Sequence, residues 1–220
     1  FTMSFFKIAY FLSALAVVLG GLLEIESLTI VFKPLLMPFL GLFFFLSVNP
    51  NYNSTKLILL ALCFAFFGDV ALMFSSDYFI LGILFFLITH VFYALVFMKE
   101  IDQKLIDLNP SQIFVVLLFL VLYVLLMMFL WTSLNDLKVP VCIYGLVLIL
   151  MGVLSYFRKQ KKGYYTVFFG ACLFIVSDSI LAINHFLYES SILWAQALVI
   201  LFYVLAQYLI VCGLVKNNDR

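Results

Sequence analysis

The sequence predicts an all-α membrane protein: a bundle of eight transmembrane helices, one polytopic domain over residues 1–220, with both termini cytoplasmic. Three observations predict it. The chain is 67% hydrophobic and 10% charged, with a mean hydropathy of +1.24, a balance foreign to soluble domains of this size. Its apolar residues fall into eight runs of about the 20 residues that a helix needs to cross a bilayer core. Its basic residues divide unevenly between alternate loops, which sets an orientation. A β-barrel is excluded, because the runs are long and uniformly apolar with no period-two alternation.

The spans follow in order. Span one, 5–23, is expected to stay in the chain, because it lacks a small-x-small cleavage site and another span follows at once. Span two, 28–48, carries Lys33-Pro34 near its start and Pro38 one turn later; two prolines this close should bend or loosen it. Span three, 56–74, holds Asp69 in the run LALCFAFFGDVALMF. Span four, 78–98, holds His90 and Tyr93, three apart and so on one face. The longest polar stretch, Lys99 to Gln112, then divides the chain into two four-span halves.

Span five covers 112–132. Span six, 138–157, opens on Lys138-Val139-Pro140, an echo of Lys33-Pro34. Span seven, 164–184, holds Asp178 in FFGACLFIVSDSILAI, where Ser177-Asp178 echoes Gly68-Asp69. Span eight, 190–215, sets Gln196, Tyr203 and Gln207 on one helical stripe. A parallel 4+4 repeat, about an axis along the membrane normal, would leave such echoes. Apolar helices also resemble one another by composition alone. The spans use nearly the whole chain, so any chemistry occurs among the helices.

The orientation rests on the loops. The N-terminus, loops 2–3, 4–5 and 6–7, and the C-terminus hold Lys7, Lys56, Lys99, Lys104, Arg158, Lys159, Lys161, Lys162, Lys216 and Arg220. The other side holds Lys33 and Lys138, a split of 10 against 2 among the 12 basic residues. The positive-inside rule therefore puts both termini in the cytoplasm. The run Arg158 to Lys162 reads as a topology anchor, and the net charge of +1 gives no reason to expect nucleic acid.

Asp69 and Asp178 carry the functional signal. A carboxylate in hydrocarbon is costly, so such residues usually face a protein interior or wet cavity and work there. Asp69 is 13 residues past Lys56, and Asp178 is 15 past Gly163. Both then lie roughly 20 Å deep at about 1.5 Å per residue. Matched depth and context suggest one shared site; a structural, hydrogen-bonded acid is the plainer alternative.

The other polar residues each have two readings. Lys33 either snorkels to an interface or holds a phosphate and tunes an acid. His90 and Tyr93 either pack as hydrogen-bonded side chains or line the site. Tyr203 and Gln207 are either interhelical glue or site residues. Asn184 and His185 either end span seven or border the site. Glu24 and Glu26 are expected in the first outer loop, solvated.

No metal site is expected: two histidines and no ligand-spaced cysteines cannot make a three-histidine zinc centre. Cys63, Cys142, Cys172 and Cys212 lie within spans and form no CxxC pair. Soluble-enzyme signatures (GxSxG, HExxH, a phosphate-cradling glycine loop) are absent.

Taken in order, five features resemble the YhhN/lysoplasmalogenase family of membrane proteins. They are Lys33-Pro34-Leu35-Leu36-Met37-Pro38, Gly68-Asp69, His90-x-x-Tyr93, the segment Leu173 to Asn184 around Asp178, and Tyr203-x-x-x-Gln207. His185 departs from the pattern, where a cationic residue is more usual. The resemblance implies an eight-span fold and no cofactor. It implies a hydrolase that cleaves the vinyl ether bond of lysoplasmalogens to a fatty aldehyde and a glycerophospho-ethanolamine or -choline. It assigns catalysis to Asp69 and Asp178, with Lys33, His90, Tyr93, Asn184, Tyr203 and Gln207 as substrate-binding candidates. The partners are then a lysophospholipid substrate and membrane lipid, and the expected location is a bacterial cytoplasmic membrane.

The residues are compatible with that chemistry. Protonating the alkene carbon gives an oxocarbenium-like cation that water attacks, so one acid and one carboxylate are needed. Burial and a second nearby acid both favour keeping one carboxyl protonated, and glycosidases set two carboxylates against a similar cation. Two other readings stand beside it: a proton-coupled transporter or lipid flippase built on paired intramembrane acids, and a lipid-binding scaffold without turnover.

Overall fold

A computed structural model describes residues 2–74, 78–101, 108–159, 161–188 and 193–217. Lys104 and Arg220, counted in the basic split, lie outside the described residues. Within them the chain forms eight long α-helices: α1 Thr2–Leu22, α2 Glu26–Ser47, α3 Thr55–Ala71, α4 Phe79–Lys99, α5 Pro110–Leu130, α6 Lys138–Phe157, α7 Tyr164–Leu187 and α8 Leu193–Asn217. Seven are long and apolar enough to cross a membrane, which makes this a multi-pass integral membrane protein. The eighth, α3, has 17 residues. Its end tightens into short-range bonds, Met73 N–H to the Val70 carbonyl and Phe74 N–H to the Ala71 carbonyl, so the predicted run 56–74 is helix plus turn.

Local chemistry explains the helix ends. α5 starts in a capping box: the Asn109 side chain accepts from Gln112 N–H at 3.0 Å, and Gln112 Oε1 accepts from Asn109 N–H at 2.9 Å. Pro110 at the first helical position gives up a donor that had no partner there. α1 ends through Glu24 at φ 56°, with Ile25 N–H on the Gly20 carbonyl at 2.9 Å. That left-handed closing turn is usually given to glycine. α2 runs unbroken through Pro34 and Pro38. The prolines remove two intrahelical bonds and free the carbonyls of Ile30 and Pro34.

Helix packing closes a ring. α1 packs on α2, α2 on α3, α3 on α4, α4 on α6, α6 on α7, α7 on α8, and α8 on α1. α2 also reaches α8, while α5 lies outside against α6 and α7. Gly170 permits the close approach of α7 and α8; a Cβ there would sit 2.9 Å from the Ala206 carbonyl oxygen. Gly163 starts α7 at φ 71°, against the backbone of Gly213, where no side chain fits.

One end of the ring is locked by buried charge. Arg158 is 1% exposed. Its Nε donates to Glu100 Oε2 at 2.7 Å, and its Nη2 donates to the same oxygen. Tyr52 O–H donates to the other Glu100 oxygen, and Asn217 Nδ2 donates to that oxygen at 3.4 Å. The ends of α4, α6 and α8 and the α2–α3 turn therefore meet here. Lys7 sits 5.5 Å from the Tyr208 ring, so the start of α1 lies beside α8's last third. Arg158, read in sequence as part of a topology anchor, points inward, where Glu100 offers the only ion pair to it among the described residues.

Removing one partner of a buried pair strands the other charge at a cost of roughly 3–5 kcal/mol. Glu100→Ala should therefore lower the thermal melting temperature of the detergent-solubilised protein sharply. Lys159→Ala, at an exposed neighbouring position, should leave it unchanged.

Candidate active site

At the opposite end the ring opens into a cavity of about 960 Å³. Its wall comes from the ends of α1, α3 and α7 and the starts of α2, α4 and α8. Glu24, Glu26, Thr29, Lys33, Asn184, His185 and Gln196 give it a polar lining, while Leu72, Met73, Leu181, Val199 and Ile200 give an apolar one. Neither aspartate is on this wall. The apolar residues lie one helical turn outward of Asp69, Asp178 and Tyr203, so they form a floor directly above the acids.

Asp69 is 2% exposed on α3. Tyr203 O–H from α8 donates to its Oδ2 at 2.7 Å. Gly68 helps to place that tyrosine: a Cβ there would strike the Phe86 ring at 2.8 Å, and Phe86 packs edge-on against Tyr203. Lys33 acts on Asp69 through charge, without a direct ion pair among the described residues.

Asp178 on α7 receives two donors at one oxygen. Tyr144 O–H from α6 donates to Oδ2 at 2.5 Å, and His90 Nε2 from α4 lies 3.1 Å from it and 3.0 Å from the Tyr144 oxygen. His90 Nδ1 is buried with no partner among the described residues. A bare lone pair is cheaper to bury than an unpaired N–H, so the imidazole is best written with its proton on Nε2, donating toward Asp178.

Phe174, fully buried, connects the two clusters. The His90 ring meets it edge-on at 4.6 Å and the Tyr203 ring at 5.5 Å. One layer further in, Tyr93 O–H donates to Gln207 Oε1 at 2.6 Å, pairing α4 with α8.

The candidates read from sequence thus fall into three places. Asp69 with Tyr203, and Asp178 with His90, form two polar clusters about one aromatic ring. Lys33 and Asn184 line the cavity above them. Tyr93 and Gln207 pair with each other below, and neither contacts an aspartate. Tyr144 escapes a sequence reading: it is one tyrosine among twelve, in a span with no other polar feature near it. Its one signal is a position one turn past Pro140.

A family model described as the YhhN family matches residues 28–214. The chain belongs to the YhhN family. No curated protein and no solved structure matches it. In this YhhN protein the matched region holds both aspartates and each of their partners, and leaves out residues 1–27, which carry α1, its closing turn and the first residues of α2, and residues 215–220.

The two clusters should respond unequally to loss of a phenol. Tyr203→Phe leaves a buried carboxyl without its one direct donor among the described residues, at a cost of about 1–3 kcal/mol. Tyr144→Phe leaves Asp178 with His90 and should cost less. Thermal melting of the two variants side by side checks the order.

Proposed function

We propose that this YhhN protein is a lysoplasmalogenase-like hydrolase that cleaves the vinyl ether bond of lysoplasmalogens with Asp69 and Asp178. Family membership supports a role of this kind at the level of the family. The observation that carries the residue assignment is the pair of intramembrane aspartates, Asp69 buried and Asp178 part-buried, each held by a tyrosine from another helix, beneath an open cavity with a polar wall.

One carboxylic acid delivers a proton to the alkene carbon remote from oxygen. The positive charge spreads over the adjacent carbon and the ether oxygen, and the other carboxylate faces it. Water then bonds to that carbon and passes a proton to the carboxylate. The resulting hemiacetal breaks its carbon–oxygen bond to release the aldehyde and the glycerol hydroxyl. A proton enters and a proton leaves, so no redox partner is needed. Tyr144 and His90 orient Asp178 while Tyr203 orients Asp69, so that neither acid must search for its angle. The enol ether reaches the acids past the floor of Leu72, Leu181 and Val199, with its head in the cavity and its tail free to stay in hydrocarbon.

The same reading completes the topology. We place all eight helices across the membrane, with the Arg158 end cytoplasmic and the cavity opening on the other face. The basic split supports this, as do the chain's two terminal helices meeting at the Arg158 end. A parallel repeat of α1–α4 and α5–α8 is supported by crosswise pairing: the α3 acid pairs with α8 and the α7 acid with α4, and α2 meets α8 as α6 meets α4. The membrane is proposed to be a bacterial cytoplasmic one.

Asp69→Asn and Asp178→Asn should each lose lysoplasmalogen hydrolysis by about 10²–10⁴-fold or more while keeping a normal melt. The double variant should be little worse than either single, because residues acting as a unit fail together. Aldehyde release by the purified protein measures this; near wild-type turnover in either single variant removes that acid from the mechanism. A parent that releases no aldehyde but moves protons or lipid in liposomes would make the transporter reading the better one.

Topology is checked separately. In a cysteine-free background, Lys159→Cys should react with an impermeant thiol reagent only from the cytoplasmic face, and Glu24→Cys only from the opposite face. The reverse pattern inverts the orientation.

A further inference from the structure

The interior holds a polar side chain that the proposed mechanism leaves idle. Gln207 on α8 is fully buried. Its Oε1 accepts from Tyr93 O–H at 2.6 Å, which fixes the way the amide faces. Its Nε2 is buried without a hydrogen-bond partner among the described residues. An amide N–H in such surroundings is costly to leave unpaired, and pairing α8 with α4 does not require one, since Tyr93 needs only an acceptor. The Tyr203 hydroxyl stands beside this amide, four residues earlier on the same helix and so on the same face. Tyr203 commits its own proton to Asp69 Oδ2 at 2.7 Å, so what it offers Gln207 is a lone pair. The last torsion of a glutamine is soft, and a small turn of the amide brings an N–H onto that lone pair.

We infer that Gln207 is a positioning residue for Asp69, acting through Tyr203 rather than through contact with lipid. The donors then run one way: Tyr93 to Gln207, Gln207 to Tyr203, Tyr203 to Asp69. An N–H on the phenol oxygen keeps the O–H turned toward the carboxylate. It also strengthens that donation, because hydrogen bonds in a chain polarise one another. Asp69 has no second direct donor among the described residues, whereas Tyr144 and His90 both reach Asp178. The acid with one donor is the one that gains from a chain behind it. This deepens the hydrolase reading and rests on it for the reaction that is measured.

The test is a double-variant cycle on the purified full chain, read as aldehyde release from a lysoplasmalogen. Gln207→Met keeps the length of the side chain and removes the amide. It should lower kcat by about three- to ten-fold, the worth of one hydrogen bond, with KM unchanged. In a Tyr203→Phe background the same change should cost nothing further in kcat. Tyr93→Phe frees the amide to turn away without emptying its place. It should give the same pattern at smaller size, and it replaces Gln207→Met if that variant does not melt as a folded protein. A rise in KM with kcat intact makes Gln207 a substrate contact and overturns the inference. An equal loss of kcat with and without the Tyr203 hydroxyl makes it helix glue and overturns it too. Infrared spectra of the same variants read Asp69 without turnover, its carboxyl bands being identified by their loss in Asp69→Asn. Those bands should shift in Gln207→Met, and adding Gln207→Met to Tyr203→Phe should shift them no further; unmoved bands in the single variant overturn the inference. A wild type that releases no aldehyde from any vinyl ether, yet shows this infrared pattern, keeps the positioning role and removes the hydrolase reading instead.

Discussion

A bilayer interior offers a polar side chain no water, so each one must find its partner within the protein. That constraint organises this molecule. Tyr10 donates to the Val204 carbonyl at 2.7 Å, Ser177 to the Val199 carbonyl at 2.9 Å, and Thr89 to the Ala61 carbonyl at 3.2 Å, each from one helix to another. The two aspartates, Tyr93 with Gln207, and Glu100 with Arg158 obey the same demand with side chains alone. Apolar packing cannot choose among helix partners in lipid as it does in water, because lipid tails are as apolar as leucine. The polar pairs therefore add to close packing in setting which helices stand beside α4, α7 and α8.

Their placement divides the bundle into two ends with different physics. At one end the charges are paired and closed over: Arg158 is sealed beneath Glu100, Tyr52 and Asn217. At the other, Lys33, Glu24 and Glu26 line a cavity.

The acids also link the two halves of the chain. Asp69 lies in the first half and its donor Tyr203 in the second; Asp178 lies in the second and His90 in the first. Neither half contains a complete cluster, so the site exists only once α3 and α4 have docked against α6, α7 and α8. Phe174 between them lets the clusters be close without hydrogen bonding directly to one another.

The sequence by itself determined the helical membrane class and the family. It placed the helices to within a few residues, and it marked Asp69, Asp178, Lys33 and His90 as the residues worth following. It could do so because hydropathy and the cost of intramembrane charge are properties of a residue and its near neighbours. The tertiary structure decided the partners. Asp69 meets Tyr203 at a separation of 134 residues and Asp178 meets His90 at 88, and no periodicity within a helix encodes such pairings. The same reason hid Tyr144, whose span carries no mark of the acid it serves. It also turned Arg158 inward: an arginine after an apolar run reads as a topology anchor, and only the fold sets Glu100, 58 residues away, beside it.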